Sequence, residues 1–186
     1  MREKIKFMLS YKNELDSIIS PEDCAKCRFC CSYRRCSLWE TPLFDLDSVE
    51  KLKKNFPGQK AKFKFFDDFA TINIDDCYKT DDPEEEAPCW FNNGKGCILG
   101  EDKPFECSVW PLRLMRKDNK LVITLSLGCK VVCSKPLSKI QEILDDGLDK
   151  KLLEYAKKVP AFIKEYSENY IVLKTLEEDF NINENG

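Results

Sequence analysis

The chain has 186 residues, 30 basic and 33 acidic side chains for a formal net charge of −3, and 11 cysteines with no histidine. That length suits one domain, at most one with a small appendage, and the near-balanced charge leaves no footprint for a polyanion such as nucleic acid. The missing imidazole excludes His-based catalysis, Cys–His nucleophile pairs and mixed Cys/His zinc fingers, and the odd cysteine count excludes complete intramolecular pairing.

Arg2, Lys4, Lys6 and Lys12 interrupt the apolar run Phe7-Met8-Leu9, so no signal-peptide core is visible, and no run approaches the ~20 residues of a membrane span. The expectation is a cytoplasmic chain with no membrane or nucleic-acid partner. Its clustered thiols then read as metal ligands or redox groups rather than disulfides.

In chain order, Ile5, Met8, Leu9, Leu15, Ile18 and Ile19 give residues 2–19 one apolar helical face, ended by Ser20-Pro21. Residues 21–40 hold five cysteines with no sustained period and read as a loop. Asp47 with Glu50 resembles a capping box, followed by Val49, Leu52 and Phe56, which predicts a helix over 47–56 ended by Pro57-Gly58. Aromatic and β-branched residues over 61–75 predict two short strands around Asp67-Asp68, and the acidic run 81–86 reads as a solvated loop.

Asn92-Asn93-Gly94-Lys95-Gly96 is hairpin punctuation between Trp90-Phe91 and Ile98-Leu99; it lacks the other elements of a phosphate-binding loop. A second hairpin is expected where residues 117–120 separate Leu112–Met115 from Leu121–Leu127. Beyond Pro136, Ser138 with Gln141 opens a helical pattern through Ile140, Leu144, Leu148, Leu152 and Leu153, with Gly147 and Pro160 as breakers. A further helix is expected through Phe162, Tyr166 and Tyr170, and residues 177–186 are expected to fray. The organisation that follows is an N-terminal helix over 1–20, a cysteine-cluster metal-binding domain over 21–135, and a C-terminal helical segment over 136–186 packed on the same domain. The fold class is α+β: a small irregular cysteine-rich metal-binding core with short antiparallel hairpins, flanked by N- and C-terminal helices.

The densest chemical signal is Cys24-Ala-Lys-Cys27-Arg-Phe-Cys30-Cys31. A two-residue spacer turns two thiolates toward one metal while the intervening amides point at the sulfurs, as in zinc and iron–sulfur sites. Neither the ferredoxin continuation into Cys-Pro nor the three-then-two spacing of radical-SAM enzymes is present, since position 34 is arginine. A second group comprises Cys89-Trp90-Phe91, Cys97-Ile98-Leu99 and Lys103-Pro104-Phe105-Glu106-Cys107-Ser108-Val109-Trp110-Pro111; Cys129 and Cys133 form a looser pair, on a helical face or in a turn. Trp90 and Trp110 read as packing residues beside the site. Lys26, Arg28, Arg34 and Arg35 could offset thiolate charge.

Taken in order, Cys-x2-Cys-x2-Cys-Cys and the later cysteine, proline and tryptophan motifs resemble the YkgJ-like cysteine-cluster family, described as a zinc- or iron-chelating domain. Flagellin lysine N-methylases carry a related cysteine-rich domain. The likeness covers about residues 24–129 and maps onto Cys24, Cys27, Cys30, Cys31, Cys89, Cys97 and Cys107, and more loosely onto Cys129. Leu43-Phe44-Asp45-Leu46-Asp47 approximates the family's Leu-Thr-x2-Asp, and Lys103 stands where it usually has arginine. The resemblance implies metal chelation by these eight thiols. The many thiolates without histidine favour an iron–sulfur cluster, [4Fe–4S], for electron transfer or substrate activation. The alternatives are a structural zinc module for a protein partner, a methylase-related enzyme, and a thiol oxidoreductase using Cys30-Cys31. Against a self-contained methyltransferase, no Gly-rich nucleotide loop follows a strand. Cys36, Cys77 and Cys133 stay unassigned.

Overall fold

A computed structural model describes residues 14–176. The expected N-terminal helix falls largely on residues 1–13, outside the described residues, as does the tail from 177; residues 14–18 are turns, and Leu15, Ile18 and Ile19 are buried. Ser20-Pro21, expected to end a helix, begins one: α1 spans Pro21–Cys27. Ser20 Oγ accepts from Asp23 N at 3.1 Å and the Asp23 carboxylate accepts from Ser20 N at 3.3 Å. Pro21 stands in the first turn, where its missing N–H costs nothing. The first two cysteines are therefore helical, which corrects the reading of 21–40 as loop throughout. Arg28 closes α1 in the left-handed region at φ 56, and a 3₁₀ turn over Phe29–Cys31 leads into β1 (Ser32–Arg34).

Strand β2 (Leu43–Asp45) runs into α2 (Leu46–Asn55). Asp45, not Asp47, caps this helix: its backbone is still extended, and its carboxylate accepts from Ser48 N at 3.2 Å. The two expected strands follow as β3 (Lys62–Phe65) and β4 (Phe69–Asn73), and β5 (Glu86–Pro88) follows the acidic loop. The first expected hairpin contracts to one bridge, Asn92↔Cys97. Its Asn side chains turn back on their own loop, Asn92 accepting from Gly94 N and Asn93 from Lys95 N, both at 2.9 Å.

Helix α3 (Phe105–Val109) precedes the second hairpin, β6 (Leu112–Lys117) and β7 (Lys120–Ser126). Its two-residue turn places Asp118 at φ 49 and Asn119 at φ 61, as a type I′ connection requires. Cys129 and Cys133 take the helical alternative, Cys129 preceding α4 (Lys130–Cys133). Helix α5 (Leu137–Ile143) follows Pro136 without the expected Ser138 cap, and Gly147 at φ 102 turns it through a π segment into α6 (Asp149–Lys158). The helix expected through Phe162, Tyr166 and Tyr170 is overturned: the chain forms β8 (Lys164–Glu165) and β9 (Tyr170–Leu176). The β-branched residues Ile171, Val172 and Thr175 suit a strand, and pairing with β7 satisfies its backbone.

Among the described residues the strands form three sheets, ordered β1-β5, β2-β4-β3 and β8-β6-β7-β9, antiparallel except for the β6–β8 pair. The larger core packs one face of the four-stranded sheet (Leu112, Leu114, Ile123, Leu125) against Ile140, Leu144, Leu148 and Leu152. The smaller core joins Phe44, Ala70 and Ile72 to Val49 and Leu52 of α2 and to Phe91 and Leu99. Strand β2 serves both, because successive side chains point to opposite faces: Leu43 enters the larger core and Phe44 the smaller. Glu106 accepts from Leu43 N at 2.7 Å and Tyr155 donates to Leu43 O at 3.2 Å, which ties α3 and α6 to that strand.

Candidate metal centre

A cavity of about 990 Å³ lies beside the smaller core, with Phe44, Ile72, Phe91 and Leu99 on its wall. Cys24, Cys27, Cys30, Cys31, Cys89, Cys97 and Cys107 all line it. Residues from 24 to 107 meet there because four local devices hold their segments together.

Helix α1 presents Cys24 and Cys27 one turn apart, and Arg28 N donates to Cys24 O at 3.0 Å. The Arg28 guanidinium donates to Ala25 O at 3.0 Å and also to Gly94 O, clasping the helix end to the 92–97 turn. Gly96 permits that approach: at φ 139 it suits glycine, and a Cβ there would stand 3.3 Å from Ala25 Cβ. Cys31 and Cys89 flank the β1–β5 ladder, whose register pairs Ser32 with Pro88, and Cys89 N donates to Cys31 O at 2.8 Å. Cys97 is placed by its bridge to Asn92, and Cys107 by the first turn of α3, where its N–H donates to Pro104 O at 3.0 Å.

A buried ion pair fixes the wall behind Cys107. Glu106 and Arg113 are 4% and 3% exposed; they form a salt bridge, and the guanidinium also lies 4.8 Å from the centre of the Trp110 ring. With its other carboxylate oxygen engaged by Leu43 N, Glu106 satisfies the condition under which a buried charge is tolerated. Trp110 thus packs beside the site, as expected, while Trp90 donates its indole N–H to Asn73 O at 2.7 Å.

The thiols differ in acidity. Burial pushes the Cys89 thiol up to about 12, raises Cys24 and Cys97, and raises Cys107 well above its ordinary value, with neighbouring cysteines adding to each effect. Cys31 is the exception. The Cys30 thiol donates to it and, against burial, holds it down to about 7, helped by the Lys103 ammonium and the Asn92 side chain; Cys30 is raised correspondingly. Several buried thiols in mutual range resist joint ionisation without a cation to share their charge.

Lys103 acts on Cys24, Cys31 and Cys97. Sequence reading registered it only as a departure from arginine and assigned charge compensation to Lys26, Arg28, Arg34 and Arg35. Of those four, Arg28 and Arg34 line the cavity; Arg34 pairs with Glu84 at 2.9 Å, and Arg35 lies over Tyr78, 4.4 Å from the ring centre. Asn92 and the buried Tyr33, whose hydroxyl reaches Cys89, were also missed. Asn92 looked like ordinary turn punctuation, and Tyr33 gave no signal beyond its place between two cysteines.

Cys129 is buried within electrostatic range of Cys24 but does not line the cavity. Cys36, Cys77 and Cys133 stand elsewhere: Cys36 donates to Glu84 at 3.3 Å, Cys77 packs against the smaller core, and Cys133 donates to Ser126 O at 3.6 Å. Among the described residues no group of three or more His, Cys, Asp or Glu side chains is arranged to hold a metal ion. The thiols share a wall rather than a point. Among the described residues no helix is long and apolar enough to cross a membrane. No protein-family model, curated protein or solved structure matches the chain significantly.

Proposed function

We propose that the chain is a metal-binding protein whose cysteine-lined cavity holds an iron–sulfur cluster, [4Fe–4S], on thiolates. The supporting observation is the sorting of the cysteines: seven of the eight assigned from the motifs line one cavity, while Cys36, Cys77 and Cys133 do not. The donor set fits the group. It is all sulfur, and the Lys103 ammonium acts on three of its thiols. The likeness to the YkgJ-like family supports the same reading. When bound, such a cluster supplies electron transfer or an iron site that activates a substrate. The chain's own part is to exclude water with Phe44, Phe91 and Trp110, and to offset thiolate charge with Lys103.

The raised acidity of Cys31 favours a second reading, a dithiol redox centre at Cys30-Cys31 that needs no metal. One experiment separates them. Iron, zinc and acid-labile sulfide are measured on anaerobically purified protein together with its visible absorption. Stoichiometric iron and sulfide are expected. Zinc without sulfide would replace the cluster by a structural zinc module, and a metal-free chain with a reactive Cys30-Cys31 pair would favour thiol chemistry.

A further inference from the structure

The three-stranded sheet ends on β3, and among the described residues no strand lies on its outer side. In the β3–β4 hairpin Phe66 N donates to Phe69 O at 2.8 Å, so these two residues face each other as a hydrogen-bonded pair. The register then pairs Phe65 with Ala70, Lys64 with Thr71 and Phe63 with Ile72 without interruption. Hydrogen-bonded and non-hydrogen-bonded pairs alternate along an antiparallel ladder, so the N–H and C=O groups of Phe63 and Phe65 point away from β4. These backbone groups line an edge that can accept a further strand.

The two faces of β3 differ in chemistry. Phe63 and Phe65 share the face of the smaller core, where the Phe63 ring centre lies 5.4 Å from that of Phe44 and 6.3 Å from those of Phe91 and Phe65. Phe65 is 53% exposed, so this apolar row runs out into solvent at the end of the strand. Lys62 and Lys64 stand on the opposite face, both exposed. Lys53, near the end of α2, holds its ammonium 4.8 Å from the Phe65 ring centre. Lys62 pairs with Asp76, whereas the exposed Lys53, Lys54, Lys60 and Lys64 make no salt bridge among the described residues. The edge is therefore both apolar and in excess of positive charge.

We infer that β3 is a docking edge for an extended acidic segment of another protein, one whose side chains alternate between carboxylates and apolar groups. A strand added beside β3 sets its apolar side chains next to Phe63 and Phe65 and its carboxylates next to Lys62 and Lys64. The same features disfavour other occupants. A second copy pairing through β3 would set lysines against lysines. An anionic membrane would meet Asp67 and Asp68, exposed at the hairpin tip between Phe66 and Phe69. The Phe66 ring is already stacked on Phe69, 4.5 Å between centres, where a nucleobase would need it free. The inference is independent of the metal-binding reading, because β3 contributes no residue to the cysteine cavity.

The test uses the full chain and a short end-blocked peptide alternating glutamate and valine, read by fluorescence anisotropy of the labelled peptide and by amide hydrogen exchange of the protein. Binding that weakens with added salt is expected, with exchange slowed at Phe63 and Phe65. The same peptide with lysine in place of glutamate is expected not to bind. Lys64→Glu is expected to weaken the glutamate peptide about fivefold while leaving thermal unfolding unchanged, since the side chain is exposed. No binding of the glutamate peptide up to about millimolar concentration, or equal binding of the lysine peptide, would overturn the inference. So would binding without slowed exchange at Phe63 and Phe65, because attraction to the lysines alone leaves those amides open. Slowed exchange at the same amides on adding phosphatidylserine vesicles, or in the chain alone as its concentration rises, would assign the edge to a membrane or to a second copy instead. If Lys64→Glu folds poorly, exchange in the unaltered chain decides.

Discussion

Asp45 is a single carboxylate that caps α2 and receives the Lys158 ammonium at 2.8 Å while itself 2% exposed. Burial alone would raise its pKa, but the hydrogen bonds from Lys158 and Ser48 outweigh it and hold the group below its ordinary 3.8. The folded chain therefore binds fewer protons here than the unfolded one. The stabilisation is present above pH 3.8 and is lost as pH falls through the lower folded-state value. Because Lys158 is partly exposed, Lys158→Gln is expected to cost only about 1 kcal/mol near neutral pH. That cost is expected to shrink as Asp45 protonates. Urea unfolding of both proteins at about pH 7 and about pH 3 checks it, and an equal gap at the two would refute the assignment. The sequence pointed to Asp47 as the cap. Lys158, 113 positions away, is bonded to both, so the choice rests on the extended backbone of Asp45.

Among the elements, the run from Leu137 to Lys158 shows how one residue redirects a helix without ending it. Gly147 stands at φ 102, where a side chain is strained, yet a Cβ there would meet nothing within 4 Å. The cost of Gly147→Ala is then purely backbone, about 1–2 kcal/mol, readable as a lower denaturation midpoint with unchanged slope. A midpoint equal to that of the unaltered chain would mean that the π segment relaxes. Beyond Pro160 the aromatic spacing of Phe162, Tyr166 and Tyr170 resembled a helical stripe, but those residues divide between two surfaces. Phe162 is in the larger core, meeting Phe105 and Tyr155, whereas Tyr166 and Tyr170 pack with Met115 and Val122 in a separate cluster. Period 3.6 was accidental there; the open edge of β7 and the β-branched residues of β9 decided the conformation.

Across the whole molecule, the cysteine cavity is held by short pieces: a two-stranded ladder, one isolated bridge, and helices of five and seven residues. Strands this short are marginal by themselves, so a group bound by several thiolates would contribute folding free energy to these segments. Anaerobic removal of the metal with a chelator is expected to lower the thermal midpoint by roughly 5–10 °C, corresponding to a few kcal/mol for a chain of this size. Differential scanning calorimetry before and after removal, and after reconstitution, measures it. An unchanged midpoint would show that the two hydrophobic cores hold the cavity without help.

The sequence by itself singled out seven cysteines that line one cavity and determined where several elements lie. The spacing of residues 24–31 and the turn chemistry of Asp118-Asn119 are local signals, carried by residues within one or two turns of each other, and the same holds for the strands flanking Asp67-Asp68. Tertiary structure decided what joins them. Glu106 clasping Leu43, Phe29 lying on Gly128, Lys103 acting on thiols from three segments and β9 pairing with β7 are contacts between residues far apart in the chain. No spacing rule encodes them, because the partners are selected by packing and by the demand that buried polar groups be satisfied.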